Sequence, residues 1–292
     1  MNYYLESEKQ NPFVLLILDE EGNEIERFES KNSDNMRKIK STDETDDTDD
    51  EKKKPDLPNK PGFNRFVWNM CYPGPEKKID KSLERKGYKP LGRGEGGPRG
   101  GPVAPPGNYQ VCLKLDGKEY KHSFQILKDP RLETTSEDFA AQFELWNKIT
   151  RRISEINGAI NSIRRIMCQI EELLSRATFG NSNGQKTVIE VRKNAETLLG
   201  KLRILENELT QTKNETPSDR LRHPAMLKER MEALVSTVSV ADSVPPRQVY
   251  DVFEHLSKQI DDKLELLNLV CEQDLSSLNL LIDNAGIPKL HG

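Results

Sequence analysis

From Trp146 onwards the apolar residues fall at Trp146, Ile149, Ile153, Ile156, Ile160, Ile163, Met167, Ile170 and Leu174. Their steps alternate three and four throughout, the 3.5-residue period of helices packed at shallow angles. This spacing predicts one helix of roughly 40 residues, about 60 Å long at ~1.5 Å per residue. Phe139 and Phe143 extend the stripe backwards, and Thr135 or Ser136 ahead of Glu137 and Asp138 supplies an N-cap. Gly180-Asn181-Ser182-Asn183-Gly184 ends it.

Three more helical stripes follow. The second carries Val188, Val191, Ala195, Leu198, Leu202, Leu205 and Leu209, and stops before Pro217. A shorter one begins near Pro224 and uses Leu227, Met231, Leu234 and Val238. The last starts at Pro245-Pro246 behind Ser243, with Val249, Phe253, Leu256, Ile260, Leu264, Leu267, Cys271, Leu275, Leu278 and Ile282. Connections this short make neighbours antiparallel, so residues 131–292 read as an elongated antiparallel bundle of three to four helices. Self-packing is preferred to an intermolecular coiled coil for the same reason.

Upstream the text differs. Twelve of the 18 Gly, 12 of the 17 Pro and six of the seven Tyr lie in residues 1–130, the signature of short strands and turns. The composition shifts at 128–135. Tyr3-Tyr4-Leu5 reads as a first strand, and Phe13–Leu18 as a second, turned by Asp19–Asn23 into Glu24–Phe28. Gly62–Met70 alternates, with Phe66, Trp68 and Met70 expected in the core and Asn69 and Cys71 opposite. Tyr109, Val111, Leu113 and Leu115 form one face of a further strand, and Asp116-Gly117 turns it into Glu119–Leu127. The expected fold class is α+β and multidomain. An immunoglobulin- or fibronectin-like antiparallel β-sandwich occupies 1–130, and the helical bundle follows.

Two segments interrupt the strands. Residues 31–61 hold the acidic run Thr42–Glu51 and then Lys52-Lys53-Lys54, and are expected to be a disordered insertion without core residues. The run lacks the glycine and the terminal bidentate Glu of an EF-hand calcium loop. Residues 74–106 contain Gly92-Arg93-Gly94-Glu95-Gly96-Gly97 and read as a flexible loop. No strand and helix flank them as a phosphate-binding loop requires.

Reactive constellations are not apparent. Cys71, Cys112, Cys168 and Cys271 show no paired C-x-x-C spacing. Cys168 and Cys271 are read as buried, and a Cys71–Cys112 disulfide is the one pairing left open. His122, His223, His255 and His291 lack Cys, Asp or Glu partners at ligand spacing. Helix carboxylates such as Glu171 and Glu172 read as solvated faces rather than a glycosidase pair. Trp68 and Tyr72 could stack on a sugar, but the alternation of Trp68 with Phe66 and Met70 assigns it to the core. The expectation is no catalytic, cofactor-binding or metal-binding residue, and no enzyme. With 44 basic and 48 acidic residues the chain is not a polyanion binder, so no nucleic acid is expected. No apolar run reaches the ~20 residues of a membrane span. Met1-Asn2-Tyr3-Tyr4-Leu5 lacks the basic and apolar regions of an export signal.

Several landmarks occur in order: Tyr3-Tyr4-Leu5, Ile17-Leu18-Asp19, Asn64-Arg65-Phe66-Val67-Trp68-Asn69, Tyr72-Pro73, Gly97-Pro98, Pro106-Gly107-Asn108-Tyr109, Asp129-Pro130-Arg131 and Glu137-Asp138-Phe139. Together they resemble the C-terminal region of β-propeller proteins of the sialidase-type BNR or sortilin type, often labelled glycosyl-hydrolase-like. The strand part is also similar to the immunoglobulin-like module of flagellar hook-capping proteins. The family usually has Asp where this chain has Asn69, and Arg where it has Cys71. The acidic insertion at 42–54 is unusual for it, and the propeller is missing from this sequence. The resemblance implies a non-catalytic accessory or interaction region that connects to a propeller or binds protein. Its partner would be a propeller domain, in cis or in trans. A carbohydrate-binding accessory module with a glycan ligand is the alternative. Chemistry in relatives is expected in the propeller, so no catalytic residue carries over; relatives are often exported.

Overall fold

Among the described residues there are six short strands, most of them alternating and β2 apolar throughout: β1 (Asn2–Leu5), β2 (Val14–Leu18), β3 (Glu24–Glu29), β4 (Gly62–Arg65), β5 (Gly107–Leu115) and β6 (Lys118–Ile126). The computed structural model describes residues 1–30, 55–76, 79–83, 100–176, 185–214 and 217–284. All pairings are antiparallel, β1 with β4 in one sheet and β3-β2-β5-β6 in the other. Asp19 closes the β2–β3 turn by accepting from Asn23 N at 2.7 Å. Asp116 and Gly117 both have positive φ (49° and 75°), the turn whose twist suits a two-residue hairpin. Leu5 and Phe66 meet Leu15, Ile17, Phe28, Trp68 and Tyr109 in one apolar core.

The helices are α1 (Ser136–Arg176), α2 (Gln185–Leu209), α3 (Leu227–Val238), α4 (Arg247–Leu269) and α5 (Ser276–Asn284). A π-helical turn, Val270–Leu275, joins the last two. Thr135 caps α1 reciprocally: Asp138 N donates to its Oγ1 at 3.2 Å, and its own N donates to Asp138 Oδ2 at 3.1 Å. The stripes share one core, in which Ile149, Ile156, Ile160, Ile163, Leu202 and Ile260 are fully buried. Ion pairs fix the directions. Arg164 meets Glu206 and Glu171 meets Arg203, so α1 and α2 run oppositely. Lys201 meets Asp274 and Glu208 meets Lys263, which sets the α4–α5 rod antiparallel to α2. Glu229 ties the end of α2 to the start of α3, accepting from Thr210 Oγ1 (2.7 Å), Gln211 N (3.2 Å) and Met226 N (3.1 Å).

The chain is thus α+β, and divides into two compact units. One comprises Met1–Gly74 with Gly100–Phe143, the other Pro75–Arg99 with Glu144–Gly292. The division falls inside α1, whereas the composition shifts at 128–135. The first two turns of α1 pack with the strands, Phe143 meeting Tyr72 edge-on at 4.6 Å. A periodic stripe specifies a buried face but not the neighbour that buries it.

Several expectations require correction. The 31–61 segment is not free of core residues: Leu57 is 3% exposed in the strand core, and Tyr3 Oη donates to Pro58 O. Asn59 trades two hydrogen bonds with the backbone of Lys9 (2.9 and 2.7 Å). The 74–106 segment is likewise anchored at both ends. Ile79 packs on the helical core and Asp80 N donates to Asn161 Oδ1 (2.8 Å), while Ala104 is buried among the strands. Low hydropathy over a long window concealed these single anchors. The acidic run, Lys52–Lys54, Gly92–Gly97 and His291 lie outside the described residues. The ladder of β4 stops at Arg65, and Met70, at φ 57°, turns out to 50% exposure instead of joining Phe66 and Trp68.

All four cysteines are free. Cys112 lies on the sheet face opposite the strand core, buried with Leu16 and Leu18. Cys168, one residue off the α1 stripe, is exposed rather than buried. Cys271 is half-buried against the helical core.

Candidate interaction surface

The outward face of the β1–β4 sheet groups several large apolar side chains in solvent. Register places Tyr3 opposite Asn64 and Tyr4 opposite Phe63. Because strand side chains alternate, Tyr3, Leu5, Asn64 and Phe66 turn inward while Tyr4, Phe63, Arg65 and Val67 turn outward. Phe63 is 88% exposed, Val67 69% and Tyr4 60%. The rings of Tyr4 and Phe63 meet at 5.2 Å and 70°, edge to face.

A buried asparagine sets this face in place. Asn64, 4% exposed, donates from Nδ2 to Lys60 O (2.8 Å) and Gly62 O (3.1 Å), and accepts at Oδ1 from Lys60 N (3.2 Å). These bonds satisfy a polar side chain that would otherwise be costly to bury. They also fold the entry to β4 around Gly62, whose φ of 94° suits glycine. Phe63 therefore projects from a stapled turn rather than from a loose end. Apolar area, aromatic rings and an arginine on one exposed strip match the composition of protein-binding surfaces.

The residues singled out as candidates for chemistry do not converge. Trp68 is 7% exposed in the core, and its Nε1 donates to Cys71 O (3.2 Å). Tyr72 packs on Phe143, and burial pushes its phenol up to about 12. Burial likewise raises the thiols of Cys71 and Cys271, leaving both poorer nucleophiles. His122 and His255 are exposed and far apart in the chain, and Glu171 pairs with Arg203 on the helix surface. Among the described residues no group of three or more His, Cys, Asp or Glu is placed to hold a metal. No helix among them is long and apolar enough to cross a membrane.

Sequence reasoning passed over Tyr4, Phe63 and Val67. The signal was there in the second phase of the 62–70 alternation, where Phe63 and Val67 interleave with Phe66 and Trp68. A strand apolar in both phases needs a cover on each face. Compared with protein-family models, curated proteins and solved structures, the chain matches none.

Proposed function

We propose that this chain is a non-catalytic accessory or interaction region. In this reading its strand unit is an immunoglobulin-like sandwich, its helical unit an elongated antiparallel bundle, and its partner a protein. The observation that carries the proposal is the exposed Tyr4–Phe63–Val67 strip beside the turn that Asn64 staples. Hot spots of protein interfaces are aromatic anchors held in place before binding, which lowers the ordering cost of association. The resemblance to the C-terminal regions of BNR- and sortilin-type proteins supplies the class of partner, a β-propeller in cis or in trans.

The experiment is to read the genomic DNA around the coding segment for propeller repeats, express that propeller separately, and titrate it with this chain. Binding weakened at least about tenfold by Phe63→Asp, with an unchanged circular dichroism spectrum, is expected. No binding to the propeller, or binding indifferent to Phe63→Asp, overturns the reading. A carbohydrate-binding module is the alternative, and it now rests on Tyr4 and Phe63 because Trp68 is buried. Rings crossed at 70° present no common platform to a sugar, so the protein partner is preferred. Glycan-array binding lost in Tyr4→Ala would reverse that preference.

A further inference from the structure

The two edges of the four-stranded sheet are unlike. β3 carries Glu24, Glu26 and Glu29, its ladder with β2 slips between Ile17 and Leu18, and its end is covered where Leu57 N donates to Glu29 O. Acidic side chains, a bulge and a covering segment are the usual protections of an edge. β6 has charged side chains only in its first half, Lys118, Glu119 and Lys121, and has neither a bulge nor, among the described residues, a covering segment. It pairs with β5 over nine residues without a slip, contains no proline, and ends the sheet order. Its residues are exposed from Lys118 to Ser123 and at Gln125. Alternate N–H and C=O groups along a strand point away from its neighbour, so this edge offers a ready ladder.

We propose that β6 pairs with β6 of a second copy of this chain, antiparallel about a two-fold axis at His122. The side chains fit that occupant. With His122 opposite its own copy, Lys118 faces Ile126, Glu119 faces Gln125, Tyr120 faces Phe124 and Lys121 faces Ser123. Across the nine residues no Lys faces a Lys and no Glu faces a Glu, since the charged residues lie in the first half of the strand. On the inner face each Tyr120, 55% exposed in one copy, lands beside Phe124. Phe124 already stacks on Tyr109 at 5.8 Å and meets Trp68 at 6.3 Å. The pairing thus extends an existing aromatic cluster, and aromatic cross-strand pairs are among the favourable ones. A two-fold contact also closes on itself, whereas β6 against β3 of another copy would propagate.

Ser123 tests the pairing and its register together, because it is exposed and faces Lys121 of the other copy twice by symmetry. Sedimentation equilibrium of the full chain across the micromolar range should show a monomer–dimer equilibrium. Ser123→Glu should tighten it and Ser123→Lys weaken it, roughly tenfold each, with both effects shrinking in high salt. Opposite signs would place Glu119 across from Ser123 and overturn the stated register. Weakening by both would set Ser123 against itself, with the same consequence. A chain that stays monomeric, or a dimer indifferent to both substitutions, overturns the pairing and leaves the edge to an extended peptide.

Discussion

Arg164 Nε donates to Glu206 Oε1 at 2.7 Å in the middle of the helical core, with the two side chains 5% and 4% exposed. On α1 the arginine is flanked by Ile160, Ile163 and Met167, all buried. Desolvating two charges costs about as much as their attraction returns, so the pair is a weak source of net stability. Removing one partner is a different matter, since the other stays buried and uncompensated. Arg164→Met alone should therefore destabilise the helical unit by about 3–5 kcal/mol in urea denaturation. Arg164→Met with Glu206→Leu should recover most of that loss. A double variant no better than the single one would show that the pair contributes through the rest of its surroundings.

Among the elements, the rod formed by α4, the π-turn and α5 shows how a pattern fault is absorbed. Its core-facing residues Val249, Phe253, Leu256, Ile260, Leu264, Leu267 and Val270 step by three or four, and the next buried one, Leu275, comes five residues on. An unbroken α-helix would turn Leu275 away from the core and bring Asp274 towards it. The π-turn takes up one extra residue, as its i→i+5 bonds allow, and returns Leu275, Leu278 and Ile282 to the buried side. Asp274 is thereby left at the rim, where Lys201 reaches it at 2.7 Å. Deleting the exposed Gln273 should convert the turn to regular α-helix and keep both flanks in phase, changing the melting temperature by only a few degrees. Deleting Glu265 from the α-helical part should rotate everything beyond it by about 100° and lower the melting temperature by about 10 °C or more. Equal effects from the two deletions would contradict this account.

For the whole molecule, the two units differ in how they answer to alkali. Tyr3, Tyr72 and Tyr109 all belong to the strand unit, and burial raises all three phenols, the first two to about 12. Each binds its proton more tightly folded than unfolded. Their contribution is complete below the ordinary tyrosine value of about 10 and is lost as the pH rises towards 12. Between those limits Trp68 fluorescence, read in a Trp146→Phe background, should report melting of the strand unit while the helical signal at 222 nm persists. Simultaneous loss of both signals would argue against two separately cooperative units.

The helices and hairpins were legible in the sequence because their causes are local. A 3.5-residue period, a Thr–Asp cap and an Asp-Gly turn each act within a few residues, and α1, α3 and the β5–β6 hairpin form where these signals stand. Tertiary structure alone decided what meets each apolar face. Phe143 continues the α1 stripe yet packs on Tyr72, and Leu57 fills the strand core from a segment too polar to suggest it. The candidate surface was half legible: alternation marks Phe63 and Val67 as opposite to Phe66. Which of the two faces is covered depends on partners such as Leu15 and Tyr109, distant in the chain. Periodicity states that a face is buried; only packing between remote segments selects which face, and against what.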